Sequence, residues 1–346
     1  MIKPVLPLGE TINLSHGSGG RDMHRLLKQL IYPILCAEPA NESDSACIPL
    51  NALASHGDRL AFTTDSYTVS PLFFPGGDIG SLAVNGTVND LAMAGAVPQY
   101  LSCALILEEG FSIASLTEIL TSMRRAADSA GIKIITGDTK VVHRGAADKI
   151  FINTTGIGVI PLNRILAPEQ ICAGDVVIVS GYIGDHGTAI LSARDELQLE
   201  IEIESDCQAL NELVEALVTA CPNTRLLRDA TRGGVATVVN EIAGAAGVGI
   251  QIYEEKLPVR PMVRGACEIL GLDPLYLANE GTLVAVVASD EAAAAVTAMR
   301  SLVAGEHAVI IGECSSAHPG VVSLITQFGG ERVIDVPAGE LLPRIC

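Results

Sequence analysis

The sequence predicts an α+β fold of two mixed domains, residues 1–165 and 166–335, followed by a flexible tail over 336–346. Three observations carry this. The chain has 346 residues, long for one hydrophobic core. Segments of strand and helix character follow one another in a similar order in both halves, without a visible repeat. From Asp335 onward DVPAGELLPRIC holds two prolines and a glycine and has no hydrophobic period, so it reads as neither helix nor strand.

The elements follow in order. RLAFTTD (59–65) alternates as a strand, with Leu60, Phe62 and Thr64 on one face. A helix is expected from Ser81 to Gly95, then a strand over 99–107. Ile113, Leu116, Leu120, Met123 and Ala127 recur at helical spacing. IKIIT (132–136) and KIFINTTGIGVI (149–160) read as strands. The Pro-containing crossing 161–175 opens the second half with a strand at 176–180. Helices are expected around 210–218, at 234–246, around 262–270 and at 290–303. Strands are expected near 249–253, in TLVAVVAS, at 307–313 and at 320–326.

Composition excludes several functions. The net charge of −18 leaves no basic field for nucleic acid. It also makes a polyanionic substrate unwelcome unless a cation screens it. No apolar run is long enough for a membrane span, and the N-terminus lacks the apolar core of a signal peptide. Nine cysteines without a CxxC pair suit reduced thiols in the cytoplasm rather than structural zinc or disulfides. By that usage a cysteine at the last position, Cys346, arises by chance about one time in forty.

Aspartates fall near strand ends or beside small polar residues: Asp44, Asp65, Asp90, Asp138 and Asp229. Several meeting at one edge would suit Mg²⁺, which takes oxygen ligands and bridges to nucleotide phosphates; the alternative for each is a cap or a turn. Asp90 differs, because it lies within an apolar helix beside Asn89, where buried polar groups require partners. Glycine-rich helix starts at 16–31, 73–80 and 229–247 offer N–H groups to anions. None fits a P-loop or a dinucleotide fingerprint. Lys140, directly after GDT, is placed to meet a phosphate or a developing charge. Glu280, in a polar turn before an apolar strand, is a candidate base. Of the seven histidines, the scattered His16, His24, His56, His143 and His186 form no catalytic signature.

These motifs resemble a known family. HGSGG, TTDSY, FFPGGDIG, VNDLAMAGAVP, GDTKVV, TTGIG, RDATRGG, NEG and the terminal PRIC together resemble the HypE family of hydrogenase maturation proteins. The wider superfamily holds aminoimidazole ribotide synthetase, selenophosphate synthetase and thiamine-phosphate kinase. The resemblance spans Gly17 to Cys346, and PRIC sets HypE apart. It implies dimerisation through the N-terminal domains and an ATP and Mg²⁺ cleft built from acidic residues. It further implies that Cys346 takes a carbamoyl group from a HypF-type carbamoyltransferase. ATP then drives dehydration of that S-carboxamide to a thiocyanate, and the cyano group passes to iron on a HypC–HypD complex.

On matching positions the resemblance assigns Asp65, Asn89, Gly137, Asp138, Thr139 and Lys140 to the nucleotide. It assigns Asp44, Asp65, Asp90 and Asp229 to Mg²⁺, and Glu280 and Lys140 to proton handling around Cys346. About eleven tail residues reach at most ~35–40 Å, enough to move between a partner and an internal site. Beside the thiol, the terminal carboxylate disfavours the thiolate while Arg344 favours it. Two other readings remain: a superfamily enzyme acting on a free small molecule, and a non-enzymatic scaffold whose terminal cysteine anchors a metal or partner.

Overall fold

The computed structural model describes residues 8–36, 43–194, 202–336, 339, 342 and 344–346. The N-terminal domain is built on a sheet of β1 (Arg59–Tyr67), β2 (Val97–Glu108), β3 (Lys133–Val142) and β4 (Ile150–Ile160), ordered β1-β4-β2-β3. α1 (Ile79–Met93) and α2 (Ile113–Ser129) cover one face. α2 docks the stripe Leu116, Ile119, Leu120 and Met123, all fully buried, as its spacing predicts. α1 is buried almost all round, because it lies between the sheet, α2 and the second domain.

The other face of this sheet is bare. Leu60 and Phe62 are 60% and 72% exposed, whereas Ala61 and Tyr67, on the opposite side of the same strand, are buried. The two outermost strands, β1 and β3, leave their outer edges unpaired among the described residues.

The C-terminal domain carries β5 (Val176–Val179), α3 (Asp185–Ser192), α4 (Asn211–Ala220), β6 (Thr224–Asp229), α5 (Gly234–Ala246), β7 (Gly249–Tyr253), α6 (Pro261–Leu270), β8 (Leu283–Val287), α7 (Ala292–Arg300), β9 (Val309–Ser315), β10 (Val322–Ile325) and β11 (Glu331–Ile334). Its sheet runs β11-β10-β7-β9-β5-β8-β6. Helix α5 packs on one face, and α4 and α7 on the other. Strand β8, flanked by β5 and β6, is therefore buried at every residue, which is why it reads as an unbroken apolar run. Ala92 and Met93 of α1 join the core beneath α4 and α7, so the domains share packing at their junction.

The structure differs from the sequence expectation in five places. β3 runs to Val142, through GDTK, so Asp138 and Lys140 lie within an edge strand and not past its end. β6, α3 and β11 are additional elements. Among the described tail residues, Ile345 and Cys346 are buried, so the end of the tail is docked. Among the described residues, no helix is long and apolar enough to cross a membrane, and all nine cysteines are free.

Candidate active site

A cavity of about 640 Å³ lies between the domains, within the range of roughly 300–1,000 Å³ common for small-ligand sites. β1 and α1 supply one wall. The end of β6, the turn into α5 and the Asn279–Gly281 turn supply the other.

Strand alternation puts Asp65 on the same face as Ala61, Thr63 and Tyr67, and all four line the cavity. Across from it, Asp90 accepts a hydrogen bond from the Thr63 hydroxyl at 2.8 Å. Burial raises the Asp90 pKa, with the Asp65 charge adding to it. Asp90 also sits in the last turn of α1, the end of a helix that disfavours a carboxylate. Asp229, the final residue of β6, is pushed up to about 6, first by burial and then by the charge of Asp90. Three carboxylates drawn together with so little compensation are poised for a cation.

Glu280 is fully buried and its Oε1 has no hydrogen-bond partner. Burial, then the charges of Asp229, Asp206 and Asp65, lift its pKa well above the ordinary carboxylate value, opposed by Arg232. The turn that holds it is fixed by Asp206, whose carboxylate accepts the N–H groups of Glu280 and Gly281 at 2.9 and 3.0 Å.

The tail enters this cavity from the N-terminal side. The N–H groups of Ser70 and Thr68 donate to the carbonyls of Arg344 and Cys346, both at 3.2 Å, which is the alternation of an added strand. The Arg344 side chain turns away from the thiol, donating to the Thr68 carbonyl at 2.9 Å and pairing with Asp148. The cation at the sulfur is Arg232 instead, whose Nε–H donates to Cys346 Sγ at 2.9 Å. Burial and the Glu280 charge nevertheless push the thiol up to about 12. A docked Cys346 is a neutral thiol, so its activation as a nucleophile belongs to another position of the arm.

Of the sequence-derived site residues, Asp65, Asp90, Asp229, Glu280 and Cys346 line one cavity. The others lie elsewhere. Asp44 is exposed in a bend outside it. Asn89 is taken up by protein: its amide donates to the Gln208 carbonyl at 3.0 Å, and its oxygen accepts the Leu210 N–H at 2.8 Å. That stitches α1 to the second domain and leaves no end for a nucleotide. Gly137 answers a steric demand, since a Cβ there would lie 2.1 Å from the Cys103 carbonyl oxygen of β2. Thr139 is buried. Asp138 and Lys140 pair at 2.7 Å on the outside, and hydrogen bonding from Lys140 lowers the Asp138 pKa.

Of the glycine-rich helix starts, the one at α1 is closed to anions. Asp78 Oδ1 caps it, accepting from Gly80 and Ser81 N–H at 2.6 and 3.1 Å. The start of α5 has no side-chain cap and borders the cavity, where the Thr237 hydroxyl is buried without a partner. Gly233 and Gly234 make this turn at φ of 75° and 60°, a conformation that favours glycine. Sequence reasoning missed Arg232 and Asp206. Arg232 stands within the RDATRGG run, but no spacing rule distinguishes its side chain from a surface arginine.

The donors present suit Mg²⁺ by chemistry: hard carboxylate oxygens beside a polar cavity. Among the described residues no group of three His, Cys, Asp or Glu forms a ready metal cage. This fits an ion that keeps several waters and arrives with phosphates.

Comparison with known proteins follows the domain division. Residues 42–160 match the family model described as AIR synthase related protein, N-terminal domain, and residues 173–324 match its C-terminal domain. The carbamoyl dehydratase HypE of Rhodobacter capsulatus is 52% identical, covering 97% of this chain and 98% of its own. A hydrogenase maturation protein HypE crystallised with ATP superposes with a TM-score of 0.91 at 46% identity, covering 97% of this chain and all of its own. The match to a HypE–HypF complex has a TM-score of 0.78 at 52% identity, over 80% of this chain and 90% of that one.

Proposed function

This chain belongs to the AIR synthase related family and, within it, to the HypE carbamoyl dehydratases of hydrogenase maturation, and from that premise we propose the reaction carried out in its cavity. The chain dehydrates an S-carboxamide carried on its own Cys346 to the S-cyanate, with ATP consumed to ADP and phosphate. The observation that carries this reading is the position of Cys346 Sγ, which lies inside an acidic cavity with Arg232 at the sulfur and an unpartnered Glu280 oxygen in the same wall.

The carboxamide oxygen is a poor leaving group as hydroxide. ATP supplies the phosphoryl group that lets it leave as phosphate; Asp65, Asp90 and Asp229 would hold a Mg²⁺ ion, which would offset the charge of that group. Arg232 holds the sulfur end of the thiocarbamate. Glu280, basic through burial, accepts a proton from the nitrogen at Oε1. In the overall step the C–O bond breaks and the oxygen leaves on phosphate, the nitrogen gives one proton to Glu280 and the other to the departing phosphate, and a C≡N bond remains on sulfur.

The partners follow from the same reading. A HypF-type carbamoyltransferase loads the thiol with the arm undocked, and an iron on a HypC–HypD complex takes the cyano group. The setting is the reducing cytoplasm, consistent with nine free thiols. The assembly is a homodimer through the bare face of the four-stranded sheet. Two open sheets with free β1 and β3 edges close into one barrel. That closure sets the GDTK strand of one copy against β1 of the other, the strand that carries Asp65, and so gives the exposed strand a place near the nucleotide.

Intact mass spectrometry tests the reaction. Carbamoyl-loaded protein given Mg-ATP should lose the mass of one water, located at Cys346, with release of phosphate. Retention of the carboxamide mass after phosphate is released would sink the dehydratase reading. A Cys346→Ala chain that still converts a free small molecule would favour the synthetase or kinase alternative.

A further inference from the structure

We propose that His186 is a positioning residue for this reaction: it holds the substrate-bearing arm in the cavity by donating its Nε2–H to the carbonyl of Ile345. The inference rests on the reading of Cys346 as the carrier, and it adds a residue that no reaction step uses.

His186 lies on α3 and is completely buried. Its Nε2 is 2.8 Å from the Ile345 carbonyl oxygen, and its Nδ1 is 2.7 Å from Ser205 Oγ. The neighbouring bonds decide the tautomer. The Cys207 N–H donates to Ser205 Oγ at 3.1 Å, so the hydroxyl proton of Ser205 is free to donate to Nδ1. Nδ1 is then the acceptor, and Nε2 carries the proton that the Ile345 carbonyl requires. The edge-on ring of Phe74, 5.6 Å away, fixes the plane of the imidazole. Burial holds the ring neutral, with its pKa lowered to about 4, so the donor persists across the physiological range.

The placement gives His186 a distinct task. Segment 202–210 lies between the arm and the base. Ser205 on it orients His186, while Asp206 next to it fixes the Glu280 turn. Ser205 is itself anchored to the N-terminal domain, its N–H donating to the Pro75 carbonyl at 2.8 Å. The donor that grips the arm and the carboxylate that receives the proton are thus set by adjacent residues. Thr68 and Ser70 hold the arm from the other domain. From the second domain His186 donates to the carbonyl of the residue preceding the thiol, and Arg194 donates to the Arg344 carbonyl at 3.1 Å.

A buried thiol is alkylated only when the arm opens, so the alkylation rate of Cys346 reads the docking equilibrium. Full-length protein is treated with iodoacetamide, and modification is followed on the C-terminal Glu-C peptide. His186→Leu leaves the Ile345 carbonyl unpaired and should speed alkylation about ten-fold, the usual effect of stranding one buried hydrogen-bonding group. His186→Gln, which keeps an amide N–H donor, should stay close to wild type. Ser205→Ala, a milder change that frees the tautomer, should give a rise of a few fold. On carbamoyl-loaded protein the ATP-dependent water loss should slow in His186→Leu and recover in His186→Gln, with loading by the carbamoyltransferase undiminished.

Unchanged alkylation in both His186→Leu and Ser205→Ala overturns the proposal, as does a His186→Gln rate equal to that of His186→Leu. Loss of loading together with dehydration in a folded His186→Leu chain also overturns it, since that marks a general structural role. Wild-type protein that never loses water sinks the proposed reaction instead, and the alkylation series still decides the positioning role.

Discussion

The cavity and the outer strand β3 hold the same kinds of charge in opposite states. On β3, Asp138 and Lys140 face solvent at more than half exposure and satisfy each other at 2.7 Å. The Asp138 pKa falls, and such an exposed pair adds little to stability. In the cavity, Glu280, Asp229 and Asp90 all have raised pKa values, with burial the first cause. Arg232 cannot neutralise them all, and it is turned to the Cys346 sulfur. One region is complete as it stands, and the other is held in a state that only a ligand relieves. Charge count along the sequence would rank the two alike. The difference lies in dielectric and in partners.

The largest effect expected from this contrast is at Glu280. Glu280→Gln keeps the volume and removes the proton acceptor, so dehydration of loaded protein should fall by about 10²–10⁴-fold. Loading of Cys346, which takes place with the arm undocked, should continue. Rapid water loss in this variant would remove Glu280 from the reaction and leave the buried carboxylate unexplained.

Asp229 gives the next effect, on two properties at once. Its folded pKa of about 6 lies above the ordinary value near 3.9. The stability it contributes is therefore fully present below about pH 4 and is lost as pH rises through about 6. Asp229→Asn removes that penalty. Near neutral pH the variant should be more stable than the wild type by about 3 kcal/mol, with the gap closing at about pH 4. It should also lose nucleotide-driven dehydration. Urea melts at several pH values read the first property; parallel stability curves would show that Asp229 carries no strain. Stability gained with function lost is the usual sign of a site built for a ligand.

Arg232 should matter less, because it is a partner of the sulfur and not the acceptor of a proton. Arg232→Gln removes a charge-assisted hydrogen bond and should slow dehydration about ten-fold or more. It should also leave Cys346 harder to ionise, because its guanidinium opposes burial and the charges of Glu280 and Asp65 there. Water loss from loaded Arg232→Gln protein at the wild-type rate would contradict that role.

The same contrast separates what the sequence discloses from what it does not. Helical period places α2 and α5 almost to the residue, because each has one apolar stripe against one sheet. β3 reads too short, because on an edge strand with one bare face polar residues such as Asp138 and Lys140 are as acceptable as apolar ones. α3 is overlooked because it is buried on nearly every side and so has no polar face to set a period; His186 is hidden with it. The meeting of Asp65, Asp90, Asp229 and Glu280 is invisible to any local pattern. It follows from the packing of two domains, and their assignment came from family resemblance. Arg344 shows the limit of reasoning from sequence neighbours: two residues from the thiol, it faces Asp148 instead.

The outer strand offers the smallest and most discriminating test. Lys140→Ala removes a surface pair, so the chain's stability should change by less than about 0.5 kcal/mol. If the bare sheet faces close into a barrel, however, each active site takes Lys140 from one copy and Glu280 from the other. Lys140→Ala and Glu280→Gln chains are then each inactive alone, yet complement when mixed and allowed to exchange. Random pairing of equal amounts makes half the dimers mixed, with one intact site in each, so about a quarter of wild-type activity should return. If Lys140 serves the cavity of its own chain, every mixed dimer pairs one site lacking the lysine with one lacking the glutamate, and nothing returns. The yield of complementation thus decides whether β3 is a surface strand or the missing wall of its neighbour's cavity.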